Sequence, residues 1–186
     1  NCNFTWIEVD VKISKDNIPF LLHDNKLDRT TSGIGFPYDY NYSEIENLDA
    51  GTWFDKKYSY TYPPSLEEVL KICSDQNIGL NIELKPNKYK EEENVIAVSS
   101  LLNEKSFSCP YFFSSFDYKS ISLMRQKISN SYISYLVDRI EDNNKFINIL
   151  RDCLKINCFA IGFNLILINQ EIVDFCKKND LIITVY

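Results

Sequence analysis

This sequence has little histidine, no surplus of basic charge, no long apolar run and no paired-cysteine motif. Lys and Arg number 20 against 26 Asp and Glu, a net charge of −6. A nucleic-acid binder usually carries a basic stripe, so that class is set aside. No apolar stretch approaches the ~18 residues of a membrane-spanning helix. The six cysteines are Cys2, Cys73, Cys109, Cys153, Cys158 and Cys176, and none lies in a Cys-x-x-Cys pair. That speaks against zinc, and they read as small core hydrophobes; an even count permits disulfides without demanding them. No basic segment opens the chain, so no signal peptide is visible, and the sequence reads as trimmed. The compartment is expected to be cytoplasmic, with a secreted or periplasmic location as the alternative. The one histidine, His23, is either incidental or the only imidazole available for chemistry near neutral pH.

What is present is a folded chain. Twelve Tyr, twelve Phe and two Trp are far too many for a disordered polypeptide. A length of 186 residues fits one domain, 1–186, and buries enough surface to fold without staples. Residues 5–13 alternate strictly: Ile7, Val9, Val11 and Ile13 point one way, and Trp6, Glu8, Asp10 and Lys12 the other. A short apolar run over 18–23 ends at His23. Residues 24–64 read as a long irregular connection with one short helix near Tyr42–Leu48, started at Ser43. A helix follows from Ser65, whose capping box is completed by Glu68 and whose apolar face is Leu66, Val69, Leu70 and Cys73. Strands are then expected at 80–85, 111–114, 132–137, 158–163 and 181–185. Helices are expected at about 91–104, after Asp117, at about 142–155 and at about 169–178. Alternating strands and helices imply an α/β fold with a parallel sheet. An open doubly wound sheet and a (β/α)8 TIM barrel both fit. About six barrel-type strands, the last with no helix after it, favour a truncated barrel.

Two strands carry charge where buried strands should not. Glu8 and Asp10 lie two apart and share a face, and Glu83 and Lys85 repeat that geometry. Ionised groups in a barrel interior are unfavourable unless paired or metal-bound. Three carboxylates suit a hard divalent cation, Mg²⁺ or Ca²⁺, with Lys85 beside them to hold an anionic oxygen. The alternative is a buried ion-pair network without metal. His23, at a strand's end, stands where barrel active sites are built.

The order of motifs resembles the glycerophosphodiester phosphodiesterase family. The resemblance rests on Ile7-Glu8-Val9-Asp10-Val11, Ser14-Lys15-Asp16-Asn17-Ile18-Pro19, His23-Asp24 and Leu27-Asp28-Arg29-Thr30-Thr31. It continues through Leu48-Asp49-Ala50-Gly51-Thr52-Trp53-Phe54, Pro64-Ser65-Leu66-Glu67-Glu68-Val69-Leu70, Leu80-Asn81-Ile82-Glu83-Leu84-Lys85 and Ser114-Ser115-Phe116-Asp117. It implies a barrel that cleaves glycerophosphodiesters to glycerol 3-phosphate and an alcohol. By the same resemblance, Glu8, Asp10 and Glu83 match divalent-metal ligands and His23 one of two catalytic histidines. Lys85 matches a basic residue near the phosphate, and Phe116 is expected to touch substrate. The insertion over 24–64 is expected to cap the barrel mouth.

There are departures. The family's other histidine lies in a His-Arg-Gly motif at the end of its first strand; by the resemblance, the first and last barrel strands are expected to be missing from this chain, and the 186 residues alone to be nearly inactive. Ile183-Thr184 stands where the family usually has Trp-Thr. Other readings are a lysophospholipase D-type phosphodiesterase, a metal-independent phospholipase C-type relative, which would not need three ligand carboxylates, and a catalytically dead binding module. The aromatic loop, with Tyr38, Tyr40, Tyr42, Trp53, Tyr58, Tyr60 and Tyr62, would either offer a cation–π contact to a quaternary amine or simply pack the insertion. The alcohol and the oligomeric state are open.

Overall fold

A computed structural model describes residues 4–140 and 143–186. Cys2 and Asp142, the expected first residue of the helix at about 142–155, lie outside the described residues. The chain forms two compact units, meeting between Tyr111 and Phe112.

In the first unit the alternating segment forms β1 (Trp6–Ile13). It pairs antiparallel with β2 (Pro19–Leu21) and parallel with β3 (Gly79–Leu84). The β1–β2 reversal is tight: Asn17 takes a left-handed φ of 60°, a conformation that Asn tolerates better than most residues. Ser14 Oγ accepts from the Ile18 amide at 3.0 Å across the same turn. The insertion contains α1 (Tyr42–Ile45), a single turn that is shorter than expected. Its cap is Asn41, with Glu44 reciprocating, rather than Ser43. The chain then turns because Leu48 joins a small core of Phe20, Leu22, Leu27 and Ile45 that pins the insertion beside β2.

The helix predicted after Ser65 is α2 (Leu66–Gln76), with both halves of the capping box made. It buries Leu66, Val69, Leu70 and Cys73 and stops at Asn77, in the left-handed conformation common just past helix ends. The following α3 (Glu91–Glu104) carries buried Asn94, whose Nδ2 donates to the Val11 carbonyl of β1 at 3.1 Å.

The second unit repeats one pattern. Strands β4 (Tyr111–Ser115, beginning on the last residue of the first unit), β5 (Ile133–Val137), β6 (Ala160–Phe163) and β7 (Ile182–Val185) pair parallel in that order. Between them run α4 (Tyr118–Lys127), α5 (Asn143–Lys155) and α6 (Gln170–Lys178). Asp117 caps α4, accepting from the Ser120 amide at 2.7 Å, as its position before the apolar run foretold. Ile121, Ile133, Phe146, Leu150, Ile161 and Phe163 belong to this unit's core. The five described cysteines are free and buried, in keeping with their reading as core hydrophobes. No helix among the described residues is long and apolar enough to cross a membrane.

Candidate active site

Register builds the site. In the parallel pairing of β1 with β3, Asp10 lies opposite Glu83 and Glu8 opposite Asn81. Because side chains alternate along a strand, Glu8 and Asp10 share the face that this pairing also gives Glu83. Each of the three carboxylates presents an oxygen, and these oxygens all lie within 4.8 Å of one another. Lys85, immediately past the end of β3, reaches back between them: its Nζ donates to Asp10 Oδ1 at 2.8 Å and stands 3.3 Å from Glu83 Oε1.

The electrostatics follow from that crowding. Glu83 is buried, and its Oε1 accepts no well-formed hydrogen bond, having only the ion-pair approach of Lys85. Burial pushes its carboxyl above the usual range, with Asp10 adding to the rise and Lys85 opposing it. Glu8 is pushed up to about 7, first by crowding of its carboxylate away from water, although the residue as a whole is exposed, and then by the negative charges of Asp10 and Glu83. For Lys85, burial acts downward, but the hydrogen bond to Asp10 and the charge of Glu83 outweigh it, so the ammonium is held more firmly than usual. One cation therefore balances two of three carboxylates, and Glu8 has no ion-pair partner among the described residues.

His23 follows β2, and its side chain is 62% exposed. Its Nδ1 lies 2.8 Å from Asp24 Oδ1. Asp24 is in turn gripped by Arg29, whose Nε donates to Oδ2 at 2.6 Å and whose Nη2 donates to Oδ1 at 2.8 Å. The hydrogen bonds from Arg29 and then from His23 hold the Asp24 carboxyl far below the usual range. Asp24 is thus an ionised, acceptor-only group, which makes Nδ1 the protonated nitrogen of a neutral His23 and leaves Nε2 free. Glu8, Asp10 and His23 line one cavity of about 350 Å³ together with Thr30, Thr31 and Trp53 of the insertion.

The insertion wall is tightly built. Asp49 accepts from the amides of Gly51, Thr52 and Tyr60 at 3.0, 2.8 and 2.8 Å and from Thr52 Oγ1 at 2.8 Å. A Cβ at Gly51 would stand 2.0 Å from the Tyr58 carbonyl oxygen, so only glycine fits there. Trp53 is oriented by its Nε1, which donates to the Ala50 carbonyl at 2.9 Å.

Three participants were not singled out as site residues from sequence. Lys12 was placed on the charged face of β1 but given no role; it is fully buried. Its Nζ donates to the Lys85 carbonyl at 2.7 Å and reaches Asn25 Oδ1 at 3.4 Å. Burial, reinforced by the charge of Lys85, lowers its pKa to about 8. Asp24 and Arg29 appeared only as parts of motifs. The sole signal of their role was the adjacency of a carboxylate to the only histidine. Phe116 lies in the second unit, one residue past β4, with its ring edge-on to Tyr186 at 5.5 Å between centroids. The carboxylates, Lys85 and His23 all lie in the first unit.

Parallel strands alternating with helices, with charged groups collected at and beyond their ends, define an α/β scaffold of the kind that carries enzymes. The description "Glycerophosphoryl diester phosphodiesterase family" matches residues 4–186, and the chain belongs to that family. The putative glycerophosphodiester phosphodiesterase YhdW of Bacillus subtilis is 39% identical over 126 residues, which are 67% of this chain and 50% of the relative. A glycerophosphodiester phosphodiesterase of Caldanaerobacter subterraneus is 31% identical over 179 residues, 93% of this chain and 69% of the relative. The chain thus spans from half to about two thirds of the length of these relatives. Among solved structures, an Oleispira antarctica phosphodiesterase in complex with the product sn-glycerol-3-phosphate superposes with a TM-score of 0.89 at 28% identity. That match covers 99% of this chain and 73% of the other. The fold class is therefore the (β/α)8 barrel expected from sequence rather than an open doubly wound sheet. The chain supplies six of the parallel strands, β1 and β3 to β7. Members of this family are generally dependent on divalent cations, which agrees in kind with the acidic cluster.

Proposed function

We propose that this protein hydrolyses glycerophosphodiesters to glycerol 3-phosphate and an alcohol. The observation that carries the reading is the clustering of Glu8, Asp10 and Glu83 beside Lys85, with Glu8 and Asp10 lining a cavity that His23 also lines. The Oleispira relative held the corresponding product, which supports the substrate class.

A divalent cation, Mg²⁺ or Ca²⁺, fits the carboxylate set. The donors are all oxygens, one is buried without a hydrogen bond, and their negative charge exceeds what Lys85 balances. Glu8, Asp10 and Glu83 would hold it, and it would supply Lewis-acid polarisation of a phosphoryl oxygen. The chain's own groups do the rest. Lys85 Nζ stabilises charge on the phosphoryl oxygens. His23 in its imidazolium form donates the Nε2 proton to the leaving alcohol and becomes the neutral ring whose Nδ1–H Asp24 holds. The insertion's Trp53, Thr30 and Thr31 form one wall of the cavity.

The test is release of glycerol 3-phosphate from glycerophosphocholine by the full-length protein, with Mg²⁺ or Ca²⁺, with EDTA, and with His23→Ala. Loss with EDTA, and a drop of roughly 10²–10⁴-fold in the variant, is the expected result. Activity that survives EDTA removes the cation from the reading. Release of phosphorylated product from lysophosphatidylcholine instead would make the enzyme a lysophospholipase D. A second reading, a binding module of the same fold, is favoured by one observation: Lys85 already bridges Asp10 and Glu83 as an ion-pair network would. It predicts no turnover of either substrate.

A further inference from the structure

Trp53, Arg29, Asp24 and His23 form one connected chain from the insertion wall to the imidazole. The Arg29 guanidinium lies over the Trp53 ring at 5.7 Å and forks onto both Asp24 oxygens, and Asp24 Oδ1 meets His23 Nδ1. An exposed ion pair ordinarily contributes little, because its long side chains remain free to move. Three features set this one apart. The fork is bidentate, which fixes the carboxylate plane as well as its position. The guanidinium is stacked on an indole that is itself oriented by Ala50. The segment that carries Arg29 is anchored, with Leu27 fully buried, its amide donating to Gly35 at 2.9 Å, and the Thr31 amide returning to the Leu27 carbonyl at 3.1 Å.

A carboxylate held by histidine alone is free to swing about its own Cα–Cβ and Cβ–Cγ bonds. The imidazole would then lose the acceptor that selects its tautomer, and either nitrogen would carry the proton. Arg29 removes that freedom by occupying the second oxygen and sharing the first. We propose that Arg29 is a positioning residue: it locks Asp24 onto His23 Nδ1, commits Nε2 to proton exchange with substrate, and is itself held by Trp53. This rests on the reading of His23 as the proton-transfer group. It gives Trp53 a different task from a headgroup cage, because one face of its ring is already taken by a cation.

The experiment uses the full-length protein and two readouts. Imidazole ¹⁵N spectra at a pH where the ring is neutral report the tautomer, with a His23→Gln variant identifying the signal. Steady-state kinetics on glycerophosphocholine and glycerophosphoglycerol report the consequence. The expected result is a single Nδ1–H tautomer in the native protein. Arg29→Met and Arg29→Lys, both at an exposed position, should mix the tautomers and lower kcat about 10- to 100-fold with KM nearly unchanged. Trp53→Leu should shift both readouts in the same direction, equally on the two substrates. A native tautomer in Arg29→Met overturns the proposal, and so does full recovery by Arg29→Lys, which has the charge but not the fork. A Trp53→Leu loss confined to the choline substrate overturns the role given to Trp53. If the tautomers mix as expected but His23→Gln keeps full activity, the reading of His23 fails, and the proposal falls with it.

Discussion

Asp10 and Glu83 face each other across the β1–β3 register, and Lys85 Nζ stands within ion-pair distance of both. Two negative charges are thereby shared by one ammonium, and the third, on Glu8, is left over at the cavity wall. Such a cluster is short of positive charge, so its stability and its affinity for cations should move in opposite directions.

Glu83→Gln should display that opposition. It removes a buried carboxylate that burial already disfavours, and it keeps the shape. The cation-free protein should unfold at an equal or slightly higher denaturant concentration, while Mg²⁺ or Ca²⁺ affinity measured by calorimetry falls at least tenfold. Unchanged cation affinity would remove Glu83 from the ligand set.

The pH dependence of stability has a definite sign. The Glu8 pKa rises from 4.5 to about 7 on folding, so the folded chain binds more protons than the unfolded one between those values. Stability of the cation-free protein should therefore fall as pH rises through that window. A bound divalent cation favours the carboxylate form and should flatten the fall. Denaturant titrations at pH 5 and pH 7.5, with and without Mg²⁺ or Ca²⁺, check both statements.

Lys12 predicts the opposite slope at higher pH. Its pKa falls from 10.5 to about 8 on folding, so between those values the unfolded chain holds more protons and stability should rise with pH. Lys12→Met should abolish that rise. It should also lower stability by about 1–3 kcal/mol near neutrality, because the Lys85 carbonyl loses its buried donor. A variant as stable as the parent that keeps the alkaline rise would contradict this account.

Asp24→Asn keeps the shape but removes the ionised acceptor. The fold should survive, since Asp24 lies at the surface of the insertion, and turnover should fall about 100-fold, within the range expected for an impaired proton-transfer group. Circular dichroism and glycerol 3-phosphate release together read the two effects.

Gly51→Ala tests the insertion as a wall. The added Cβ cannot coexist with the Tyr58 carbonyl, so the segment around Trp53 must shift. A loss of about 1–3 kcal/mol in stability is expected, with KM affected more than the thermal midpoint of the second unit's core. Wild-type kinetics would mean that the wall does not shape the substrate cavity.

Much of this was legible locally. Two-residue alternation put Glu8, Asp10 and Lys12 on one face of β1 before any partner strand was known, because successive side chains of a strand must point to opposite sides. Ser65 with Glu68, and Asp117 ahead of Ile121, announced their helices because caps are satisfied within one turn. The single turn at Tyr42–Ile45 was overextended, since its end is set by Leu48 entering a core with Phe20 and Leu27, which are distant in sequence.

The family, too, could be read from the order of its motifs. Tertiary structure decided what those motifs do to one another. Alternation gives a face but not a register, so only strand pairing sets Asp10 beside Glu83 rather than one step away. Charge pattern alone makes Lys12 and Lys85 alike. Burial separates them, leaving one ammonium fully enclosed against a carbonyl and the other among carboxylates. Nor does anything local tie the Arg29–Asp24 pair to Trp53, because that link forms only when the insertion folds back and brings 29 and 53 together. Period and capping act over a few residues, whereas ion pairing in a cluster depends on which distant charges share the same low-dielectric space.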